Sequence, residues 1–361
     1  MLEALEALVA CESPSSDPQA TTRCLEVAAG IVGEWLGEKP QVLETDGRRH
    51  DLYTFGDDGS PLRVLLLAHA DTVWPIGTLA EIPFDVTDGV ARGPGVFDMK
   101  AGLVQGLAAL TGLDRLDGVG LLLTTDEEVG SPTSQSLIQS TAKSAEAVLV
   151  LEPGQDGALK TERKGVSMYE IAVEGRAAHA GLEPEKGINA VVELAHVVFG
   201  LQSSARPDIG TTVTPTVAKG GTTRNSVPES ASVLVDVRAT SSAEQARVHS
   251  ELTSRLPVLE GAAWRVEGGP NRPPLERAAS AALFERASAI ARRLGQPELR
   301  EVSVGGGSDG NFTAGMGIPT LDGLGAVGDG AHARHEHVEV DAMVPRSELL
   351  RELIAELLAA S

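Results

Sequence analysis

The stretch 62–102 constrains the fold most, because it joins a short apolar run to two loops with charged residues. Four aliphatic residues, 64–67, precede His69-Ala70-Asp71 in the segment LLLAHADTVW. Such a run between polar flanks is typical of a strand that is covered on both faces. His69 is then expected at the strand's carboxyl end, where open α/β sheets bind their ligands. A second segment, GPGVFDMKAG, places Asp98 directly before an apolar helical pattern.

Strand-like and helix-like patterns alternate around this stretch. Strand patterns at 64–67, 120–124 and 147–151 are separated by helical patterns at 100–116 and 134–143. This alternation predicts an α/β fold, a mostly parallel sheet flanked by helices.

The pattern changes from residue 164 onward. Strand-like and helical segments follow one another in the order β-α-β-β-α, at 164–175, 186–201, 211–217, 232–238 and 242–256, which fits a β-α-β-β-α-β unit. This order predicts a small antiparallel sheet with two helices on one face. Apolar side chains alternate in the first strand at Tyr169, Ile171 and Val173. The first helix has a predicted core stripe of Ile188, Val191, Val192, Ala195, Val198 and Phe199.

The α/β style resumes near residue 270 with two further helical patterns. We therefore expect one α/β domain, formed by 1–163 and 270–361, which is interrupted by an inserted α+β domain of ferredoxin-like order at 164–269.

Composition narrows the classes of partner. The chain has 51 acidic and 30 basic residues and a net charge of −21, so we expect neither nucleic acid nor an anionic membrane as a partner. No apolar run approaches the roughly 20 residues that span a bilayer. The first residues are acidic where a signal peptide would be basic, and Cys11 and Cys24 are too few for a disulfide framework. These features predict a cytoplasmic protein.

Five segments leave metal-capable side chains at a strand end or in a glycine-rich loop. They contribute His69 with Asp71, Asp98, the pair Glu127-Glu128, Glu152, and His332. Adjacent residues at a strand end point in different directions, so one glutamate of the pair can bind a metal while the other faces a water. Metal-assisted hydrolysis needs both roles, ligands for the ion and a separate base. Two histidines and three carboxylates without thiolates suit two zinc ions, with cobalt or manganese as substitutes.

Each segment also has a simpler interpretation. The His69 segment can be an ordinary polar loop, the acidic pair can be solvated surface, and Asp98 can cap the helix that follows it. Glu152 can belong to a turn that only ends a strand. The site is favoured because all five segments occupy the same kind of position, whereas chance would scatter them over helix faces as well.

Eight ordered motifs then carry a resemblance that spans nearly the whole chain. They are HADTVW, GPGVFDMKAG, TTDEEVGS, LEPG, EGRAAHAG, GGTTRNSVPE, GGGSDGNF and GAHARHEH. The chain resembles the zinc-dependent family of acetylornithine deacetylase, succinyl-diaminopimelate desuccinylase and glutamate carboxypeptidase. GGGSDGNF and GIPTLDGLG are most similar to the carboxypeptidase G-like subgroup. The resemblance implies a zinc-peptidase catalytic domain and an inserted lid and dimerisation domain, hence a homodimer.

The resemblance also implies a set of metal ligands. His69 and Glu152 would bind one zinc, Glu128 and His332 would bind the other, and Asp98 would bridge both. A non-proline cis peptide is expected after Asp98. The ending GAHARHEH contains several histidines, and His332 is selected because the family places its ligand four residues before a glutamate, here Glu336.

Further roles follow from the same resemblance. Glu127 would be the general base, and Asp71 would hold His69 in one tautomer. His179 would polarise the scissile carbonyl, often from the partner subunit. The positions that bind substrate would be Asn225, Arg238, Lys160 and Ser308. Basic residues cluster around the inserted domain, and of these we expect Arg238 to bind a carboxylate and Arg163 and Arg176 to be exposed charges.

The expected reaction is hydrolysis of the amide bond in small N-acyl or peptidyl amino acids with a free carboxylate, with a glutamate carboxypeptidase favoured. A water bridged by two zinc ions would be activated by Glu127. Three alternatives stay open: an N-acyl-amino-acid deacylase for a neutral or basic amino acid, a non-catalytic metal-containing binding protein, and a protein whose metals are only structural. A structural zinc site is normally closed by four protein ligands, often thiolates, whereas this chain has two distant cysteines.

Overall fold

The computed structural model describes residues 1–56 and 60–360, and the chain divides into two compact units. The first unit comprises Met1–Glu162, Leu275–Val304 and Ser308–Ser361. The second comprises Arg163–Pro274 and Gly305–Gly307.

The helices and strands have the following bounds in the described residues. The helices are α1 (Leu2–Ala10), α2 (Pro18–Leu36), α3 (Thr78–Glu81), α4 (Ala101–Thr111), α5 (Gln135–Ala142), α6 (Ala190–Gln202), α7 (Ser242–Ser254), α8 (Arg277–Arg293), α9 (Gly310–Gly315) and α10 (Val340–Ala359). The strands are β1 (Gln41–Thr45), β2 (Arg48–Thr54), β3 (Val64–His69), β4 (Asp85–Thr87), β5 (Val90–Arg92), β6 (Val119–Thr124), β7 (Ala147–Val150), β8 (Leu159–Arg163), β9 (Gly165–Glu174), β10 (Ala178–His179), β11 (Thr212–Gly220), β12 (Ser226–Val227), β13 (Ser230–Ala239), β14 (Ala263–Arg272), β15 (Glu301–Val304), β16 (Thr320–Leu321), β17 (Gly328–Asp329) and β18 (His337–Glu339).

A six-stranded sheet forms the centre of the first unit, in the order β1-β2-β6-β3-β7-β16. Strands β6, β3, β7 and β16 are parallel, while β2 runs antiparallel to β6 and pairs with β1 at the edge. Val64, Leu66 and Ala68 of β3 pack into the same cluster as α1, α2, α4, α8 and α10. Leu65 and Leu67 pack on the opposite face with α5 and α9. The predicted mostly parallel sheet with helices on both faces is confirmed.

The order of the strands brings the predicted polar positions to one edge. Strands β6, β3 and β7 are neighbours and parallel, so their carboxyl ends lie side by side. The connection through α4 covers one face of the sheet and the connection through α5 covers the other. Such a switch between faces opens a crevice at the carboxyl ends of the strands. His69 ends β3, and Glu152 lies two residues beyond β7.

The second unit contains an antiparallel sheet in the order β11-β13-β9-β14, with α6 and α7 packed on it. The four strands of this sheet and the two helices follow one another along the chain in the β-α-β-β-α-β order that the hydrophobic pattern predicted, and the short strands β10 and β12 form a separate pair. Tyr169, Ile171 and Val173 of β9 are buried in the cluster of this unit, as their alternation indicated.

The predicted core face of α6 is wrong. Val191 and Phe199 are 40% and 72% exposed, and the helix instead buries Glu193, Leu194 and Val197. The sequence could not decide between these faces, because apolar residues surround much of the helix. Glu193 can be buried because its carboxylate accepts the backbone N–H groups of Val258 and Leu259 at 2.7–3.2 Å.

Within residues 1–56 and 60–360, none of the helices is both long enough and apolar enough to cross a membrane.

Candidate metal centre and active site

His69 is buried, and its two ring nitrogens have different surroundings. Nδ1 lies 3.0 Å from the backbone oxygen of Asp71 and 3.4 Å from its Oδ1. A carbonyl oxygen only accepts, so a neutral His69 carries its ring proton on Nδ1 and has its lone pair on Nε2. Nε2 lies 3.3 Å from Oδ1 of Asp98 and 3.4 Å from Oε1 of Glu152. Burial lowers the pKa of His69, but contacts with these three carboxylates raise it well above its usual range.

A second imidazole completes an arrangement centred on Asp98. Nε2 of His332 lies 3.0 Å from Oε2 of Glu128 and 3.5 Å from Oδ2 of Asp98. The two oxygens of Asp98 therefore face different histidines. Contacts with Asp98 and Glu128 raise the pKa of His332 to about 10. His332 has a φ of 63°, in the left-handed region that costs a residue with a side chain about 1–2 kcal/mol, and such strain is concentrated at functional sites.

The acidic pair after β6 occupies a short turn, Glu127–Val129. Carboxylate oxygens of Glu127 and Glu152 and a ring nitrogen of His69 lie within 4.8 Å of one another, and so do ligand atoms of His69, Asp98 and Glu128. Glu127 is buried, and burial raises the pKa of Glu128 to about 7. The two neighbouring glutamates thus belong to different groups around the same histidine.

Unsatisfied polar atoms test whether this cluster fits a metal. In the described part of the chain, the buried atoms Nε2 of His69, Oδ1 of Asp98 and Oε1 of Glu128 have no hydrogen-bond partner. Buried polar atoms nearly always have one. A cation would satisfy all three atoms, and a nitrogen and oxygen donor set without thiolate suits zinc, cobalt or manganese. The residues fit a divalent metal centre.

Asp71 links the end of β3 to the turn that carries the acidic pair. Its buried carboxylate accepts the hydroxyl of Ser15 at 2.6 Å and the backbone N–H groups of Glu127 and Glu128 at 3.3 and 3.2 Å. Burial raises the pKa of Asp71, but contact with His69 and these hydrogen bonds lower it below its usual value. Sequence reasoning missed Ser15, because nothing in the motif around it signals a contact with Asp71.

Glu336 holds the loop that carries Asp98. The hydrogen bonds it accepts come from the backbone N–H groups of Gly95 at 3.0 Å, Phe97 at 2.9 Å and Asp98 at 3.1 Å, and from Nε1 of Trp74 at 2.7 Å. The side chain is buried, and burial raises its pKa although the hydrogen bonds lower it. The Asp98–Met99 peptide is cis, as the resemblance implied.

Two predicted substrate residues of the first unit have different surroundings. Nζ of Lys160 lies 3.9 Å from Oε2 of Glu152, beside the candidate metal centre. Ser308 is fully buried, and its hydroxyl donates to Asp322 at 2.6 Å and accepts from the N–H group of Gly310 at 3.2 Å. These bonds hold the turn before α9, so the position of Ser308 gives no support to a contact with substrate.

The second unit brings two other predicted residues together. The backbone N–H of Ala180 donates to the backbone oxygen of Asn225 at 2.9 Å, where β10 pairs with β12. Nδ1 of His179 accepts the backbone N–H groups of Gly181 and Leu182 at 3.1 and 3.2 Å. The proton of a neutral His179 is therefore on Nε2, which makes that atom a hydrogen-bond donor.

Arg238 already has a carboxylate partner. Its guanidinium group donates to both oxygens of Asp236 at 2.8 Å, and both residues lie on β13. Asp236 thus occupies Nε and Nη2 of the guanidinium group, and a substrate carboxylate would compete with it for Arg238. The prediction for Arg163 is wrong, because Arg163 is 5% exposed and donates to the backbone oxygen of Gly306 at 3.3 Å.

Two imidazole-carboxylate groups share Asp98 and lie at the carboxyl ends of the strands of an α/β sheet. This arrangement is that of a metal-dependent hydrolase. The model of the peptidase family M20/M25/M40 matches residues 65–356, and the chain belongs to this family. The resemblance inferred from the motifs is confirmed, and the protein is an enzyme of the metallopeptidase and amidohydrolase class.

Individual proteins show the same relationship. The chain is 32% identical over 305 residues to carboxypeptidase G2 of Pseudomonas sp. (strain RS-16), covering 81% of this chain and 74% of that protein. It is 27% identical over 384 residues to succinyl-diaminopimelate desuccinylase of Azoarcus sp. (strain BH72), covering 98% and 97%. The M20 family metallo-carboxypeptidase Sso-CP2 of Sulfolobus solfataricus has the same fold, with a TM-score of 0.74, 16% identity and 98% coverage of both chains.

Proposed function

We propose that this enzyme hydrolyses the amide bond of N-acyl or peptidyl amino acids with a free carboxylate, and that it is a glutamate carboxypeptidase. The observation that carries the reaction class is Asp98, whose two oxygens face His69 and His332 at 3.3 and 3.5 Å. The similarity to carboxypeptidase G2 supports a carboxypeptidase, and the motifs GGGSDGNF and GIPTLDGLG are the basis for proposing glutamate. The similarity to a desuccinylase favours a second candidate, an N-acyl-amino-acid deacylase.

The proposed centre holds two zinc ions, for which cobalt or manganese can substitute. His69 and Glu152 would hold one ion, Glu128 and His332 would hold the other, and Asp98 would contribute to both. Bound there, the ions supply the Lewis acidity that polarises a carbonyl and makes water more acidic.

Glu127 is the general base of the proposed reaction. It is a buried carboxylate whose oxygen lies within 4.8 Å of ligand atoms of His69 and Glu152. Glu127 takes the proton from the attacking water and gives it to the nitrogen of the leaving amine, which balances the protons of the step. Asp71 keeps the proton of His69 on Nδ1, so that Nε2 stays available as a ligand atom.

The second unit supplies the proposed contacts to substrate. His179 donates from Nε2 to the oxygen that develops negative charge. Asn225 and Arg238 bind the carboxylate of the substrate, with Lys160 of the first unit as a further cation. We also propose that the enzyme is a homodimer through the second unit, which the exposed apolar side chains of Val191, Val192 and Phe199 support. Light scattering that gives the mass of a monomer would refute the dimer.

The test is amino-acid release from a panel of N-acyl and peptidyl amino acids, with metal-stripped protein before and after addition of zinc. Zinc-restored release that is fastest for glutamate supports the carboxypeptidase. Faster release of a neutral or basic amino acid supports the deacylase. No release with two zinc ions bound would support a non-catalytic binding protein and overturn the proposal.

A matched pair of variants tests the roles of the acidic residues. Glu127→Gln should lower kcat by about 10²–10⁴-fold with the metal content unchanged. Glu128→Gln should lower the metal content itself. Near-normal turnover of Glu127→Gln would show that another group is the base.

A further inference from the structure

Arg346 of α10 is a buried cation of the first unit that the proposed reaction does not use. The residue is 6% exposed, and within residues 1–56 and 60–360 it forms no ion pair. One nitrogen, Nη2, donates to the backbone oxygen of Gly157. The other, Nη1, is buried and has no hydrogen-bond partner in the same described ranges.

A buried charge without a counter-charge is unfavourable. Moving an ion out of water is costly even after the protein relaxes, and buried charges are therefore normally paired. Burial lowers the pKa of Arg346 to about 10, and no acidic group offsets this effect. The guanidinium group thus has no counter-charge in the described residues.

A second guanidinium group approaches the same turn. Arg300 donates through Nη2 to the backbone oxygen of Asp156, the residue before Gly157. Arg300 and Arg346 therefore both bind successive carbonyl groups of one turn, and neither forms an ion pair in the described residues. Two guanidinium groups beside one turn, neither of them paired with a carboxylate, can bind one oxyanion with directed hydrogen bonds.

Both arginines line a cavity of about 300 Å³. Its other walls are mostly apolar, and these residues are Pro297, Leu299, Val327, Ala342 and Pro345. Gln296 and Gly157 also line it, as do the exposed residues Asp156 and Glu298. This volume is at the lower end of the range for small-molecule sites, which combine apolar walls with a few polar groups.

We propose that this cavity binds a small organic carboxylate with a short apolar body. The carboxylate pairs with the guanidinium groups of Arg346 and Arg300, and the apolar body packs on the proline and aliphatic walls. The cavity has no residue in common with the candidate metal centre, so the site does not depend on the proposed function. The carboxylates of Asp156 and Glu298 also line the cavity and would repel a second negative charge on the ligand.

The test is calorimetric titration of the intact, metal-loaded enzyme with isovalerate, with isovaleramide as the uncharged control of the same shape. Binding of isovalerate should weaken by roughly tenfold or more in Arg300→Met and Arg346→Met, because each change removes charged hydrogen bonds. Arg300 is exposed, so Arg300→Met keeps the test valid if Arg346→Met does not fold. Turnover by Arg300→Met should stay unchanged.

Further arms separate the alternatives. Arg238→Met is the matched control in the second unit and should leave the affinity for isovalerate unchanged. Unchanged affinity in Arg300→Met, or equal binding of isovaleramide, would overturn the proposal. Binding of inorganic phosphate but not isovalerate would also overturn it, since the apolar walls would then contribute nothing.

Discussion

Glu336→Gln is the substitution that tests the architecture of the candidate site most directly. Oε1 of Glu336 accepts the N–H groups of Phe97 and Asp98 at 2.9 and 3.1 Å. Oε2 accepts the N–H group of Gly95 at 3.0 Å and Nε1 of Trp74 at 2.7 Å. All four partners are donors, so both oxygens of the Glu336 carboxylate must be hydrogen-bond acceptors. Glutamine has nearly the same shape but presents one acceptor and one donor.

The expected loss follows from this geometry. In either orientation of the amide, two buried N–H groups would face an NH₂ group instead of an oxygen. A buried donor left unsatisfied costs about 1–3 kcal/mol, so the free energy of unfolding should fall by about 2–6 kcal/mol. This is a large part of the 5–15 kcal/mol that is typical of folded proteins. The backbone at Asp98 should shift as well, so the affinity for metal should fall.

Two measurements check this expectation. Urea unfolding of metal-free protein gives the free energy of unfolding without a contribution from metal binding. Zinc titration of the same protein gives the affinity. The tryptophan fluorescence of Trp74, which contacts Glu336, reports whether the loop is displaced in the folded variant.

Trp74→Phe is the matched control. It removes one of the four donors and leaves both oxygens of Glu336 with a backbone partner, so a loss of only about 1 kcal/mol is expected. If Glu336→Gln unfolded within 1 kcal/mol of the unchanged protein and bound zinc equally well, Glu336 would not hold the Asp98 loop. An equal loss in both variants would assign the effect to Trp74 instead.

Three further predictions concern the groups around the centre. Ser15→Ala removes the hydroxyl that donates to Asp71 and should lower the free energy of unfolding by about 1–3 kcal/mol, measured in urea. The pKa of His332 is raised to about 10, so its imidazole is protonated at neutral pH and must lose a proton when it binds zinc. Zinc should therefore bind more tightly as pH rises. Calorimetry that detects no proton release on zinc binding would contradict this. Asp236→Ala removes the carboxylate that competes for Arg238 and should lower KM, whereas Arg238→Ala removes the proposed contact to the substrate carboxylate and should raise KM. An unchanged KM in both variants would show that Arg238 does not bind the substrate.

The strands that carry the candidate ligands could be predicted because their signals agree. Residues 64–67 are all aliphatic, and their alternate side chains fill two different clusters on opposite faces of the sheet. A short run that is apolar on both sides is typical of a strand with both faces of its sheet covered. His69 is the last residue of this strand, so its position was determined once the strand was identified.

The contacts that hold these ligands could not be predicted in the same way. Glu336 binds the N–H group of Asp98 across 238 positions of the chain, and Ser15 binds Asp71 across 56. Backbone N–H groups are present at every non-proline residue, so the sequence contains no signal for which of them a buried carboxylate will accept. Arg346 illustrates the same limit, because its partner is the backbone oxygen of Gly157.

The charges around His69 explain why these supporting contacts matter. Asp71, Asp98 and Glu152 all approach one buried imidazole, and Glu128 lies beside the second, His332. Buried carboxylates repel one another unless hydrogen bonds or cations offset their charge. Asp71 is offset by the N–H groups of the acidic turn and by Ser15, whereas buried oxygens of Asp98 and Glu128 have no such donor in the described residues. The fold thus satisfies the carboxylate that orients His69 and leaves unsatisfied Oδ1 of Asp98, which faces His69, and Oε1 of Glu128, the atoms that a cation would bind.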